Sequence, residues 1–511
     1  MSTIPTDAAG REPEDASEPE TAAPSGVTAA VVTGFTWKTI TAVVSEGTRV
    51  LLVIVLARLL APSDYGLAGM AFVVAGFVGL FTDLALGGAL VQRASVTEED
   101  VSTVFWFSVA VSLLMFVVTA ALSPFAASFF HEPQVAPLIV VLALSFPLAA
   151  LSTTQVALLT RRLAYRSLEI REIAGVLAGA VVGLTFALVG FGAYAIVGNT
   201  VAAAAMSTLL LWRFSGWRPS LRFSRPSLMK LGGFGIKLFG IRLLTYGNRN
   251  ADNMLIGKFA GATALGVYSV AYNVMFTPVN RISMPLWGVV YPALVRMQDD
   301  LPRMRAAWLR SKRLSNALHS PVFFTILVVA PDLVAVIFGP KWSAAVPVVQ
   351  LLCIAGLAHS VQNLNAAVVQ ARGNVGLVLR LQVFASIVTL AAFALGVHWG
   401  ATGVAALYAV ARWIIVPVDT WFTTRAVGFS FSEALFAGGS LLPVAAAAAG
   451  VAYLCRVGLV DAGVAPIFRL VAVGGVSLLL YGALVFVIAP GLVRDLREIL
   501  QRRRAGVLAN A

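Results

Sequence analysis

The sequence predicts an all-α integral membrane protein of about fourteen transmembrane helices: two parallel, repeated six-helix lobes followed by two further helices. Three observations carry this. Of 511 residues, 59% are hydrophobic and 12% charged, with a mean hydropathy of +0.86, whereas soluble domains carry roughly twice that charged fraction. Apolar runs near the ~20 residues that a helical crossing needs follow one another from residue 34 to residue 488. Short sequence landmarks recur about 200 positions apart.

Residues 1–26 hold six acidic residues against the single Arg11 and are rich in Pro, Ala, Ser and Glu. That composition predicts a disordered acidic tail on the cytoplasmic side, with no apolar core for a cleavable signal. Spans are expected over 34–57, 67–91, 103–127, 137–160, 172–190 and 193–213, forming a first lobe within 30–215. A basic linker, 216–230, leads to a second lobe within 231–425, with spans at 233–257, 264–294, 317–338, 346–370, 379–398 and 402–424. Helices at 433–455 and 464–488, within 431–489, and a basic tail, 490–511, complete the chain. Runs of this length favour helices over the alternating ten-residue strands of a membrane barrel.

Basic residues collect after the even-numbered spans, among them Arg161, Arg162, Arg213, Arg218, Arg303, Arg305 and Arg425. The odd-numbered breaks offer little beyond Arg58, Lys258, Lys341 and Arg456. By the positive-inside rule both chain ends are expected in the cytoplasm. The same distribution accounts for the net charge of +13, so a nucleic-acid partner is not expected. Cys353 and Cys455 lie in apolar runs without a C-x-x-C pair, and His131, His319, His359 and His398 lack metal-ligand spacing. No cofactor is expected, and no P-loop pattern occurs.

The halves repeat in order. "GFTWK" at 34–38 matches "GFGIK" at 233–237, "ARLLAPSDYG" at 57–66 matches "GKFAGATALG" at 257–266, and "GFGAYAIV" at 190–197 echoes "HWGATGVAAL" at 398–407. Six helices is an even number, so the two copies share one orientation. The stretch 57–66 reads as a hairpin between two helices, with Arg58 an interface anchor, Pro62 stopping the first helix and Ser63 or Asp64 capping the second.

Two blocks, Leu56–Arg93 ("LARLLAPSDYGLAGMAFVVAGFVGLFTDLALGGALVQR") and Asn250–Asp300, resemble the matching halves of the bacterial polysaccharide transporters, the O-antigen (Wzx-type) and colanic-acid-type flippases. The resemblance implies membership of the multidrug/oligosaccharidyl-lipid/polysaccharide superfamily. It further implies MATE-like lobes in a V around a central cavity, and movement of a polyprenyl-diphosphate-linked oligosaccharide to the outer leaflet of the cytoplasmic membrane. The implied partners are that lipid-linked glycan, membrane lipids, a polysaccharide polymerase and glycosyltransferases. A peptidoglycan-precursor flippase and a MATE-type drug/cation antiporter stay open within the superfamily. A membrane glycosyltransferase or polymerase is the alternative from another class, disfavoured because no internal break exceeds about twenty residues.

Charges inside spans cost about 2.5–3.5 kcal/mol each, so those retained usually face a protein interior or a watery path. Lys38, Ala42, Ser45, Glu46 and Arg49 share one face of the first helix. Arg242, Thr245, Tyr246, Arg249, Asp252 and Asn253 share one face of the seventh. Lys38, Arg49, Arg242, Arg249, Arg281 and Asn253 are the cargo-binding candidates; Asp83, Glu46 and Asp252 are the candidates for ion coupling. In-span cations (these, with Lys237 and Arg412) number seven against the four acids Glu46, Asp83, Asp252 and Asp419, which favours an anionic cargo. Plainer readings compete. Glu46 with Arg49 and Arg249 with Asp252 could pair at i, i+3, Lys38 and Lys237 could snorkel to the interface, and Arg412 with Asp419 could form a structural pair. Pro278 and Pro285 are expected to kink the eighth helix. His359, Ser360, Gln362, Asn363, Asn365 and Gln370 decorate the tenth.

Overall fold

The computed structural model describes residues 25–82, 86–93, 95–491 and 494. Side chains are described from residue 36 onward, apart from 86, 89, 92, 227–242 and 244. Every described regular element is a helix: α1 (Ser25–Leu59), α2 (Pro62–Thr82), α3 (Leu86–Gln92), α4 (Glu98–Phe130), α5 (Val135–Ala143), α6 (Ser145–Arg161), α7 (Tyr165–Val189), α8 (Tyr194–Ser215), α9 (Arg225–Arg296), α10 (Leu301–Ile337), α11 (Ala345–Gln362), α12 (Asn365–Ala371), α13 (Val375–Gly396), α14 (Gly400–Val427), α15 (Phe431–Gly439), α16 (Leu442–Asp461) and α17 (Pro466–Ile488).

Among the described residues, twelve helical stretches are long and apolar enough to cross a membrane, where fourteen spans are expected. The difference has a physical reason. Thr245–Arg296 and Val375–Val427 run to 52 and 53 residues, each long enough for two crossings. The first is interrupted only at Gly261, whose φ of 83° and ψ of 178° no helix contains; the second turns at Gly400, with φ of 65°.

The hairpin expected at 57–66 is present. Pro62 opens α2, where its missing N–H costs no bond, and Asp64 Oδ2 accepts from Ala61 N–H at 2.8 Å. The counterpart turn falls at Gly261, 200 positions after Ala61. The two hairpins pack against each other with pseudo-two-fold geometry. A β-carbon on Gly66 would lie 1.7 Å from the Ala262 carbonyl oxygen, and one on Gly266 would lie 1.8 Å from the Pro62 carbonyl oxygen. Both pairs exchange under the same shift of 200. Around this contact α2 and α9 share a core of Met70, Ala71, Leu265, Tyr268, Ala271 and Met275, all fully buried. The halves are thus joined at the hairpin end of the molecule.

The cations of the hairpins make matching contacts to the opposite half. Arg58 donates to the Val336 carbonyl at the end of α10, and Lys258 Nζ sits 4.2 Å from the Phe129 ring centroid at the end of α4. The guanidinium of Arg58, expected as an interface anchor, ties the first half to the second. Trp342 Nε1 and Lys341 Nζ reinforce this tie by donating to the carbonyls of Ala57 and Arg58.

Within the first half, Gly175, Gly179 and Gly183 form one stripe of α7, where a β-carbon would lie 2.6–3.0 Å from carbonyl oxygens of α8. Small residues four apart allow such close backbone approach in membranes. In the second half, Pro278 and Pro285 lie inside α9 without interrupting it. The expected tenth helix does break, because Leu364 adopts φ 71° between α11 and α12. The last two long helices dock on α10: Asp332, 1% exposed, takes Arg456 Nε at 2.5 Å and Arg469 Nη2 at 2.7 Å, while Thr325 meets Ser477 at 2.7 Å.

Candidate cargo site between the halves

The polar face of α1 leads into a line of alternating charges. Glu46 Oε1 pairs with Arg49 Nη1 at 3.3 Å, one helical turn on, while Glu46 Oε2 pairs with Arg281 Nη2 of α9 at 2.5 Å. Arg49 Nη2 continues to Glu172 Oε1 of α7 at 2.7 Å, and Glu172 Oε2 lies 3.7 Å from Arg171 Nη1. Arg171 in turn donates to Ser207 of α8 at 3.0 Å. The order is Arg281, Glu46, Arg49, Glu172, Arg171: three cations bridged by two carboxylates, beginning in the second half and ending inside the first.

None of these five side chains is buried; their exposures run from 25% for Arg171 to 61% for Arg281. Ion pairs that wet are worth about 0–1 kcal/mol each, so the guanidinium groups can exchange glutamate for another anion at little cost. A cavity of about 660 Å³ adjoins the line. Arg49, Arg171 and Glu172 stand in its lining, with Ser152, Thr153 and Thr208 supplying hydroxyls. Small residues of α3, α6 and α8, such as Gly87, Ala149 and Ala203, make room for it.

The structure sorts the sequence candidates. Arg49, Arg281 and Glu46 come together; the local pairing of Glu46 with Arg49 exists, but Glu46 also reaches Arg281 across the molecule. Lys38 is exposed on α1. Arg249 and Asp252 do not form the i, i+3 pair considered for them. Arg249 lies over the Phe276 ring at 5.3 Å, whereas Asp252 is buried and accepts from Tyr268 Oη at 3.0 Å and from Asn253 N–H at 2.8 Å. Asn253 thus serves Asp252 through its backbone. Asp83 and the side chains of Lys237 and Arg242 lie outside the described residues.

The direct pair of Arg412 with Asp419 is likewise not formed. Arg412 Nη2 donates to Gln362 Oε1 at 2.5 Å and lies 3.0 Å from His359 Nδ1. Asp419 Oδ2 accepts from Asn365 at 2.7 Å, and Asn365 Oδ1 accepts from the fully buried Lys312 at 2.8 Å.

Two site features escaped the sequence reading. Arg171 and Glu172 fall at the edge of the expected fifth span, 172–190, where the sequence does not single them out. Helix α7 in fact begins at Tyr165, so both residues stand on its second turn. The run "LEIREI" at 168–173, charged at helical spacing ahead of the glycine stripe, was the available signal. Lys312 lies between the expected spans 264–294 and 317–338, yet α10 starts at Leu301, capped by Asp300 accepting from Arg303 N–H at 3.1 Å.

Two helical halves joined at one end, with exchangeable charges linking them deeper in, define a two-lobed, multi-pass membrane transporter. The chain belongs to the family described as "Polysaccharide biosynthesis protein", whose profile matches residues 55–347. It is 27% identical over 376 residues to the lipopolysaccharide biosynthesis protein WzxC of Escherichia coli K12, covering 73% of this chain and 76% of that protein. Among solved structures its fold is similar to the lipid II flippase MurJ in an inward closed conformation, with a TM-score of 0.69, 13% identity and coverage of 89% of this chain and 99% of that one. It is also similar to an inward-facing multidrug resistance MATE transporter, with a TM-score of 0.55, 16% identity and coverage of 77% and 98%.

Proposed function

We propose that this protein is a flippase that carries a polyprenyl-diphosphate-linked oligosaccharide from the cytoplasmic to the outer leaflet of the bacterial inner membrane, by alternating access. The observation that carries the reading is the bridge of Glu46 to Arg49 and Arg281. It gathers guanidinium groups of both halves beside a cavity, and paired donors of arginine match phosphate oxygens. A diphosphate entering there would take the arginines from their carboxylates, dissolving the tie between lobes as cargo binds. Glu46, so released, is then the carboxylate placed to take up a proton or cation; Asp252 is the second candidate for coupling.

With the basic breaks in the cytoplasm, the hairpin contact lies at the outer face, and the cargo site is open to loading from inside. The lobes, 30–215 and 231–425, then rock about the linker 216–230, and both termini are cytoplasmic. The glycan would come from membrane glycosyltransferases and pass to a polymerase, with no catalytic step in this chain. Family membership favours this cargo over a drug or a peptidoglycan precursor. WzxC is named for lipopolysaccharide biosynthesis.

The test is export of lipid-linked glycan at matched protein levels. Arg49→Ala and Arg281→Ala are each expected to lower it at least about tenfold, the effect of losing one charge-assisted bond worth roughly 1.5–3 kcal/mol. Unchanged export in both variants rules out the arginine grip. Labelling that places Arg305 outside and Gly339 inside overturns the orientation.

A further inference from the structure

We propose that two contiguous cavities inside the second half form a subsite for a sugar ring bearing a carboxylate, separate from the arginines that hold the diphosphate. The inference rests on the flippase reading for the source of that sugar. The larger cavity, about 370 Å³, lies among α9, α11, α13 and α14 and falls in the range of small-molecule sites. The smaller, about 190 Å³, shares His359, Gln382, Ala385 and Arg412 with it and opens onto Asn248 and Arg249. Those two residues belong to the polar stretch of α9, so the route inward begins on that stretch.

The lining has the chemistry of a sugar site. Gln382 presents a whole amide, able both to donate and to accept; Gln362 keeps its Nε2 donor, since its oxygen accepts from Arg412, and Asn363 keeps its Oδ1 acceptor, since its Nδ2 donates to Ser283 and Ser315. Trp287, stacked on Tyr291 at 5.9 Å, gives a flat apolar wall for the C–H face of a pyranose. Arg412 adds the charge. Its Nη2 is engaged by Gln362 and His359, which orients the guanidinium, and among the described residues no acceptor engages Nη1. Of the charged residues lining the cavities, Asp419 is held by Asn365 and Asp252 by Tyr268, so neither carboxylate takes the free edge of Arg412. A carboxylate is the sugar substituent that fits a single guanidinium edge.

The test uses the full-length protein in detergent, with methyl β-D-glucuronide and methyl β-D-glucoside as probes, read by saturation-transfer NMR. The glucuronide is expected to bind at least about tenfold more tightly, the ratio one charge-assisted hydrogen bond supports. Arg412→Gln should erase the preference, and Arg412→Lys should restore part of it. Gln382→Ala, which removes an exposed side chain, should weaken both sugars alike and covers the case in which Arg412 variants do not fold. Equal binding of the two sugars, binding of neither, or an unchanged preference in Arg412→Gln overturns the subsite. Polyprenyl diphosphate binding in the same preparations separates the two readings. It should survive Arg412→Gln and fail in Arg49→Ala with Arg281→Ala; survival there defeats the diphosphate grip and leaves the sugar result to stand or fall alone.

Discussion

Gly66 packs so closely on Ala262 that a β-carbon at residue 66 would fall 1.7 Å from the Ala262 carbonyl oxygen. The pseudo-two-fold mate, Gly266 on Pro62, is equally tight, and both neighbours are backbone, which cannot swing away as a side chain can. Closure of the hairpin end therefore requires glycine at both positions. Gly66→Ala should penalise the closed state by about 1–3 kcal/mol, the usual cost of overpacking, or roughly 5- to 150-fold in the closed-to-open ratio. A cysteine at the buried Met70, in a background where Cys353 and Cys455 are alanine, reports this. Its labelling by an impermeant maleimide should rise with Gly66→Ala and with Gly266→Ala. Labelling no faster than in the glycine parent defeats the gate.

The Glu46 bridge predicts effects of opposite sign on its two sides. Glu46→Gln removes the anion that competes for Arg49 and Arg281, so inorganic pyrophosphate should bind up to about fivefold more tightly, the ceiling set by an exposed ion pair. Arg281→Gln should weaken the same binding. Calorimetry at low and high salt checks both, since screening should shrink each change. Weaker pyrophosphate binding in Glu46→Gln contradicts the exchange.

Lys312 and Asp419 are joined through the buried Asn365. Removing either charge strands the other, at about 3–5 kcal/mol. Lys312→Met and Asp419→Asn should each lower the thermal midpoint of the purified protein, and the double variant should lose less than the sum of the two. Strict additivity shows that the two charges do not sense each other.

Asp332 holds α16 and α17 to α10 through two arginines, and is itself buried. Asp332→Ala should loosen this corner alone. Amide exchange should accelerate over residues 466–488 while α2 and the hairpin of α9 keep their protection. Exchange that is unchanged over 466–488, or faster everywhere, excludes a local clamp.

Much of the framework was legible in the chain because it depends on local spacing. Apolar runs of crossing length, the basic breaks and the matched stretches 57–66 and 257–266 each lie within a few dozen residues. The polar face of α1 carried Glu46 and Arg49 at one-turn spacing, and the pair is there. Helix continuity was harder. Residues 301–316 look like a polar break but form the first turns of α10, since Lys312 finds Asn365 in the interior; the apolar tenth run is interrupted where Leu364 turns left-handed.

By itself, then, the sequence determined a helical membrane protein with two repeated halves and charges gathered on the first and seventh helices. Tertiary structure decided which charges meet: Glu46 with Arg281, Arg49 with Glu172, and Arg412 with His359 and Gln362 instead of Asp419. It also turned two matched glycines into a seam. The physical reason is range. Hydropathy and helical period act over one or a few turns, whereas an ion pair or a backbone contact between halves depends on how rigid helices cross. That crossing follows from small residues and packed cores contributed by both halves at once.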